Sequence, residues 1–569
     1  MICIYLCTLA LFLATSSAGF TFFSLLRITP RNPFLAFFTG VFLISLLAMA
    51  VSLVKPLTLH YSLLCLTPAL FGLKQLRNLF VPPAGQLGHR LPILAFLFAI
   101  AGICALGTAY AEWTGYAYDT DLYHIQIVRW LNEYGTPCGL GNLHSRLANS
   151  SIWPVFAALL NHSFLQDSTP WIMMPTFITA FTMYFVHDFM NSSSQSLRAY
   201  AFCMFPVCIY SLLFWNYPNL YHDFPSLAVL CISGAELLNM LFTKQSRTLS
   251  STISVITCIT LSFLIKPLSA ISILIITPIA LYYYCTSKKF KFSNILIIFA
   301  FPFLAAILWC AKNVITSGYP FFPISILPFN VDWAMPLSDV TGNATAVRAW
   351  ARMPGPNHLE AFERGISFWF LPWAKALISS KQAILTTLLP FTAGCVCWFF
   401  IREHLTSRKI LCLFGWPLIS IVYWFWMAPD PRFGRELFWM FFALGAACFV
   451  QYWPATGTFI LNNFFRHEDK QRQLCVVILL FFMLASSAIS FMHRLQGNSV
   501  AWVSLGTINP WPTKLITAKS GSAHFDIYVP FDDDRCGNSP LPCAPTIPQH
   551  TVRRDAIKLG AGFRPTTHP

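Results

Sequence analysis

Charge is what this sequence has least of. Asp, Glu, Lys and Arg make up 10% of its 569 residues, while 56% are hydrophobic and the mean hydropathy is +0.59. Water-soluble domains carry roughly 25% charged residues, so a soluble globular fold is excluded. A disordered chain, which needs low hydrophobicity and high net charge, is excluded with it. The apolar/polar alternation of membrane-barrel strands is missing. Also missing is any internal repeat at the periods of solenoids or inverted-repeat transporters. The start, "MICIYLCTLALFLATSSAGF", lacks the basic n-region of a signal peptide and runs on into further apolar sequence, so it reads as a first span.

In place of charge there is a succession of apolar runs, each long enough to cross roughly 30 Å of hydrocarbon. Backbone groups in lipid must be satisfied within their own segment, so the runs are expected to be helices. They fall at 4–23, 33–54, 56–73, 91–110, 169–190, 198–215, 224–243, 250–266, 268–285, 292–310, 383–400, 410–427, 436–453 and 474–493. The expected fold class is an all-α polytopic membrane protein with about fourteen transmembrane helices. Its organisation follows: N-terminal helices in 1–110, a first outer loop in 111–168, central helices in 169–310, a long outer loop in 311–381, C-terminal helices in 382–493 and an outer tail in 494–569.

Basic residues outnumber acidic ones 37 to 22, and they sit in short clusters between runs. These are Arg27/Arg31, Lys74/Arg77/Arg90, Lys244/Arg247, Lys288/Lys289/Lys291, Arg402/Arg408/Lys409 and Arg466/Lys470/Arg472. Such a distribution follows the positive-inside rule, and no nucleic-acid partner is expected; the lipid bilayer is. With the clusters in the cytoplasm, both termini fall outside. So do 111–168, the turn around Asp223, 311–381, "APDPRFGRE" and the tail. Most of the 18 cysteines lie in apolar runs, where a thiol acts as a small hydrophobe. Cys536 and Cys543 share a polar outer segment and are expected to form a disulfide.

The polar residues gather in the outer loops. In "YDTDLYHIQIVRWLNEYGTPCGLGNLHSRL" (118–147), Tyr123, Ile127, Trp130, Leu131 and Tyr134 share one face of a helical wheel, and Asp121, Gln126, Arg129, Asn132 and Glu133 share the other. Residues 121–134 are therefore expected to form an amphipathic helix on the membrane surface, ended by Gly135 and Pro137. Asp119 or Thr120 is placed to cap it. A carboxylate at Asp121 or Asp119 would stand at the mouth of a cavity between spans, where apolar surroundings strengthen it as a general base. The plainer alternative is a helix cap and a favourable charge near a helix start. His124 and His144 lack a paired metal-ligand spacing, so they are better read, with Arg146, as hydrogen-bonding contacts to a substrate.

An anion on the outer face needs cations around it. Arg432, in "WMAPDPRFGRE", follows two stiffening prolines, and its planar fork suits bidentate phosphate binding. Arg435 lies a short step further on. Lys266, in "FLIKPLSA", and Lys312, in "CAKNVITSGYPFFP", are placed at the outer boundary of their runs. For each, the alternative is a snorkelling anchor. Asp430 reads as an orienting partner of Arg432 or as a turn residue. Asp223, beside His222 in "NYPNLYHDFPSL", is a second outward acid, suited to binding acceptor or metal, or to forming a turn. Glu236 lies well inside a run, where an acid needs a cavity or a partner. The aromatic latter half of 311–381 suggests a second interfacial helix acting as a lid, and the tail a small cap.

Taken together, "YDTDLYHIQIVRWLNEYGTPCGLGNLHSRLANSSIW", "KNVITSGYPFFP", "APDPRFG" and "CGNSPLPCAP" resemble a family of bacterial multi-span membrane proteins. An acidic first outer loop, a surface helix and many spans resemble, more broadly, the GT-C superfamily of membrane glycosyltransferases. That resemblance implies transfer of a sugar from a polyprenyl-phosphate carrier to an envelope glycan, lipid or protein acceptor. It also implies inversion at the sugar, a loop aspartate as base, and a site facing the outside of a bacterial inner membrane. Asp121 or Asp119 would take the base role, and Arg432, Lys266, Lys312, Asp223, His124, His144 and Arg146 would contact substrate. No cofactor is required, and a divalent cation such as Mg or Mn is optional. The acidic motif departs from the superfamily's compact pair: here it is Asp-Thr-Asp, and several spans precede it. Two other functions are open at this stage, a glycan polymerase or ligase using lipid-diphosphate donors, and a non-enzymatic lipid or polysaccharide transporter.

Overall fold

The computed structural model of the protein describes residues 1–79, 90–109, 112–113, 117–355, 357–404, 407–452, 469–494, 507–508, 511–520 and 523–566. The junction at 110/111, Arg466, and the side chains of Arg90 and Lys470 lie outside the described residues.

A helix stands over every apolar run read from the sequence. Among the described residues nine are long and apolar enough to cross a membrane: Ile2–Leu25, Leu35–Ser52, Gln195–Phe214, Asp223–Phe242, Pro267–Cys285, Asn294–Ser317, Lys381–His404, Arg408–Met427 and Gln471–Met492. The other runs carry shorter or more polar helices: Leu59–Leu66 with Pro68–Phe71, Arg90–Gly107, Pro170–Asn191, Leu249–Ile265 and Arg435–Tyr452. The outer wall exposes Leu274, Leu296, Phe303, Val422, Trp426 and Phe481. Side chains so apolar are stable there only against hydrocarbon. The chain is a helical, multi-pass membrane protein.

Helix lengths sort the polar residues to two ends. Asp223–Phe242 rises about 30 Å at 1.5 Å per residue, so Asp223 and the basic Lys244/Arg247 stretch stand at opposite ends of it. Leu249–Ile265 returns to Lys266, and Arg408–Met427 carries the chain from its basic start to the Arg432 turn. At the basic end, Lys289 donates to the carbonyl of Gln245 at 3.2 Å and Arg408 to the Tyr282 hydroxyl at 3.4 Å. There too Glu236 finds its partner. Arg31 donates to it at 2.8 Å and grips Asp188 with both terminal nitrogens, at 2.7 and 2.9 Å, while the Tyr184 hydroxyl donates to Glu236 at 2.6 Å.

Three expectations change. The 121–134 helix consists of a wide turn, Thr120–His124, followed by Ile125–Glu133, and it does not lie on the surface. Its apolar face packs inward, and its polar face is roofed by the C-terminal tail. Gln126 donates to the carbonyls of Gly537 and Ser539, both at 3.0 Å, and Arg129 donates to those of Asn538 and Ser539. Trp130 meets Phe563 edge-on. Second, Asp119 makes no capping hydrogen bond to this helix. Third, Asn294–Ser317 runs past residue 310, so Lys312 lies within the helix, 4% exposed, and does not snorkel. The tail itself carries two short antiparallel pairs, Thr513–Ser520 with Ala523–Pro530 and Thr551–Arg553 with Phe563–Pro565. Cys536 and Cys543 are disulfide-bonded within it.

Candidate functional site

Four loop or helix-end residues from distant parts of the chain meet at the end away from the basic clusters. Asp119 precedes the Thr120–His124 turn, and Asp223 is the first residue of its helix. Lys266 sits where Pro267 breaks the chain from helical to extended backbone (φ −146°, ψ 117°). Arg432 sits in a turn built around it: the Asp430 carboxylate accepts from the Arg432 backbone N–H at 2.8 Å. Asp430 is thus a turn residue. Indoles hold that turn from two sides. Trp424 Nε1 donates to the Asp430 carbonyl at 2.9 Å and Trp373 Nε1 to the Pro429 carbonyl at 2.7 Å. Gly434 is required here because a Cβ would stand 2.7 Å from Trp424 Nε1. Thr120 Oγ1 accepts from the Leu220 N–H at 3.0 Å, which joins the first loop to the loop before Asp223.

The charges form one network. Arg432 Nη1 lies 3.2 Å from Asp119 Oδ2 and Arg432 Nε 3.5 Å from Asp223 Oδ2, and Lys266 Nζ is bonded to Asp223 Oδ1. Aromatic faces back the cations. Lys266 Nζ is 3.5 Å from the centroid of the Phe433 ring, and the Arg432 guanidinium lies over Phe433 and Tyr221 at 4.8 and 5.3 Å. Burial disfavours the Arg432 charge, but Asp223 and Asp119 more than offset this and hold its pKa above the usual arginine range.

Beside this network two imidazoles pack together. The rings of His124 and His222 are 4.2 Å apart at their centroids, with Tyr123 edge-on to His124 at 4.2 Å. Burial keeps both neutral. It pushes His222 down to about 3, with the Lys266 and Lys312 charges adding and Asp223 opposing. His124 is held well below the usual histidine range by burial, then by His222, Arg432, Lys266 and Arg146. The Arg146 charge is therefore felt inside the site. His144 is also held to about 3, by burial and then by Arg146.

Asp121 is placed differently from Asp119. It is buried against the tail, its backbone carbonyl accepts from the Gly537 N–H at 2.7 Å, and its charge reaches Arg535. Arg435 turns into the helix bundle, stacked over Phe214 and Trp215 at 5.2 and 5.0 Å. Of the two arginines in "PRFGRE", only Arg432 joins the acids.

From Asp223 and Lys266 a groove descends between helices. It is lined by Ser226, Ser269, Ser272 and Ser420 among leucines and aromatic rings, and the serine hydroxyls are taken up by hydrogen bonds within the protein. It is narrow, with room for on the order of one water. Among the described residues no group of three or more His, Cys, Asp or Glu side chains is arranged to hold a metal ion. A divalent cation here would compete with Arg432 and Lys266 for the same two carboxylates.

The comparisons with known proteins bear on the chain as a whole. Residues 1–439 match the family described as "Domain of unknown function (DUF8201)". The chain belongs to that family. No curated protein and no solved structure matches it. Residues 1–439 hold Asp119, Asp223, Lys266, Lys312 and Arg432, and the tail that roofs the first loop lies beyond the match.

From the sequence, Tyr221 and Phe433 carry no site role, Tyr123 reads only as part of the apolar helix face, and His222 only as a neighbour of Asp223. The aromatic ring directly after Arg432 was the available signal: a cation drawn out of water is commonly backed by a ring face.

Proposed function

We propose that the protein is a membrane glycosyltransferase that moves a sugar from a polyprenyl-phosphate-linked donor to an envelope glycan, lipid or protein acceptor on the outer face of a bacterial inner membrane. The observation that carries this reading is the Asp119–Arg432–Asp223–Lys266 network, which sets a candidate base and two candidate phosphate binders within one cluster. The isoprenoid chain would lie along the largely apolar groove, which must widen to admit it.

In the reaction, the acceptor oxygen bonds to the anomeric carbon while the bond from that carbon to the phosphate oxygen breaks. Asp119 receives the acceptor proton, and the leaving phosphate keeps the electron pair, stabilised by Arg432 and Lys266. Before donor binding, Arg432 contacts both Asp119 and Asp223. A donor phosphate competing for Arg432 would draw that contact away and free the Asp119 carboxylate to face the acceptor hydroxyl. Asp223 keeps Lys266 charged and positioned. Asp119 is preferred to Asp121 because Asp121 is buried against the tail.

Two carboxylates among the cations favour this reading over a lipid-diphosphate polymerase or ligase, for which several arginines without an essential first-loop acid are expected. A strain deleted for the gene and complemented with Asp119→Asn, present at the normal level, tests it. The deletion's glycan defect is expected to persist, and full restoration contradicts the proposal.

A further inference from the structure

The donor site just described leaves out its most costly neighbour. Lys312 lies in a membrane-crossing helix, 4% exposed, and its ammonium has no hydrogen-bond partner. An ammonium withdrawn from water without an anion costs several kcal/mol, and lysines near helix ends ordinarily extend to the interface instead. This one is held in. Thr316, one turn on, faces the carbonyl of Ala148 at 3.4 Å, and Trp309 Nε1 donates to the carbonyl of Ser150 at 2.8 Å, so the loop carrying Arg146 closes over this helix.

The surroundings share one chemical preference. The Ser145–Ala148 turn that carries Arg146 packs against both the Lys312 helix and the Thr120–His124 turn. The rings of His124 and His222 are 4.2 Å apart at their centroids, and the Lys312 charge reaches His222. His222 Nε2 and both ring nitrogens of His124 are buried without hydrogen-bond partners. A neutral imidazole offers one N–H donor. The charges of Lys266, Arg432, Lys312 and Arg146 all reach the histidine pair, beside which stand two carboxylates, Asp119 and Asp223. The carboxylates are both taken up by Lys266 and Arg432.

We propose that Lys312 and Arg146, with the His124–His222 pair, form a second anion subsite that takes an anionic group, phosphate or carboxylate, carried by the acceptor. The assignment to the acceptor rests on the glycosyltransferase reading, in which Lys266 and Arg432 hold the donor phosphate. The transferase thereby selects an acidic acceptor over a neutral one.

The test uses the full chain in lipid nanodiscs, saturated with geranyl phosphate as a donor mimic, with inorganic phosphate or glucuronate then titrated and thermal unfolding followed. One of the two anions is expected to raise the Tm of the saturated protein, and which one does identifies the acceptor's group. Lys312→Met is expected to weaken that anion roughly tenfold or more, the effect of losing one charge-assisted contact, and to raise the Tm without anion. Arg146→Gln, at a less buried position, is expected to weaken it by a smaller factor. Equal anion dependence in K312M, R146Q and wild type, or no response by the saturated wild type to either anion, overturns the subsite. If geranyl phosphate does not bind at all while phosphate still stabilises in a Lys312-dependent way, the donor reading fails and the subsite stands.

Discussion

The Arg432 guanidinium stands 3.2 Å from the Asp119 carboxylate. On the proposed mechanism that contact must loosen for a donor phosphate to bind, so the acid and the phosphate compete for one cation. Asp119→Asn is therefore expected to tighten binding of a short isoprenyl phosphate by a few-fold, on the order of 1 kcal/mol or less for a partly exposed pair. Arg432→Ala is expected to weaken it. Fluorescence or calorimetric titration of the purified variants checks this, and weaker binding by D119N contradicts the competition.

Lys266 and Asp223 are bonded in a largely buried place. Removing only the acid leaves a cation with less than its full compensation, so Asp223→Ala is expected to destabilise by roughly 1–3 kcal/mol. Asp223→Ala/Lys266→Met is expected to recover most of that stability while binding isoprenyl phosphate more weakly than wild type, through Arg432 alone. Thermal melts of the single and double variants measure the coupling. Additive losses would mean that the pair does not act as a unit.

Gly434 packs its α-carbon against Trp424, whose indole also holds the turn carrying Arg432. Gly434→Ala is expected to push that indole away and misplace Arg432, lowering isoprenyl phosphate affinity about tenfold with a modest loss of stability. The Tm and the titration together check it: an unchanged affinity shows that the turn tolerates the shift.

Much of the architecture was legible because burial in lipid writes itself into long apolar runs, and a helix stands over each of them. Lys266 and Arg432 were legible for a related reason: a cation at a run's end, next to proline, is rare enough to notice. The pairing of Asp119 with Arg432 was not, since residues so far apart in the chain leave no periodic trace of their contact. The roofing of Gln126 and Arg129 was hidden for the same reason. A polar helix face reads alike whether water or the backbone carbonyls of residues 537–539 satisfy it. Lys312 was misplaced because its helix continues through "AKNVITS", polar residues that tertiary contacts with the 148–150 loop make affordable.

The paired histidines give a pH dependence with a definite sign. Folded His124 and His222 stay neutral well below pH 6.5, whereas unfolded histidine takes up a proton near pH 6.5. Stability is fully present above about pH 6.5 and falls as pH drops toward the folded value, about 3 for His222. The slope is at most about 1.4 kcal/mol per pH unit for each histidine. Melts between pH 7.5 and 5 are expected to show His222→Asn losing less stability on acidification than wild type, and parallel curves contradict the assignment.

The most direct measurement is donor turnover. Purified full-length protein in liposomes, given a polyprenyl-phosphate-linked sugar and delipidated envelope glycan, is assayed for release of free polyprenyl phosphate. Wild type is expected to release it in step with sugar appearing on the glycan, and Asp119→Asn, equally folded, to be slower by roughly 10²–10⁴-fold. Release by D119N at the wild-type rate would contradict the account.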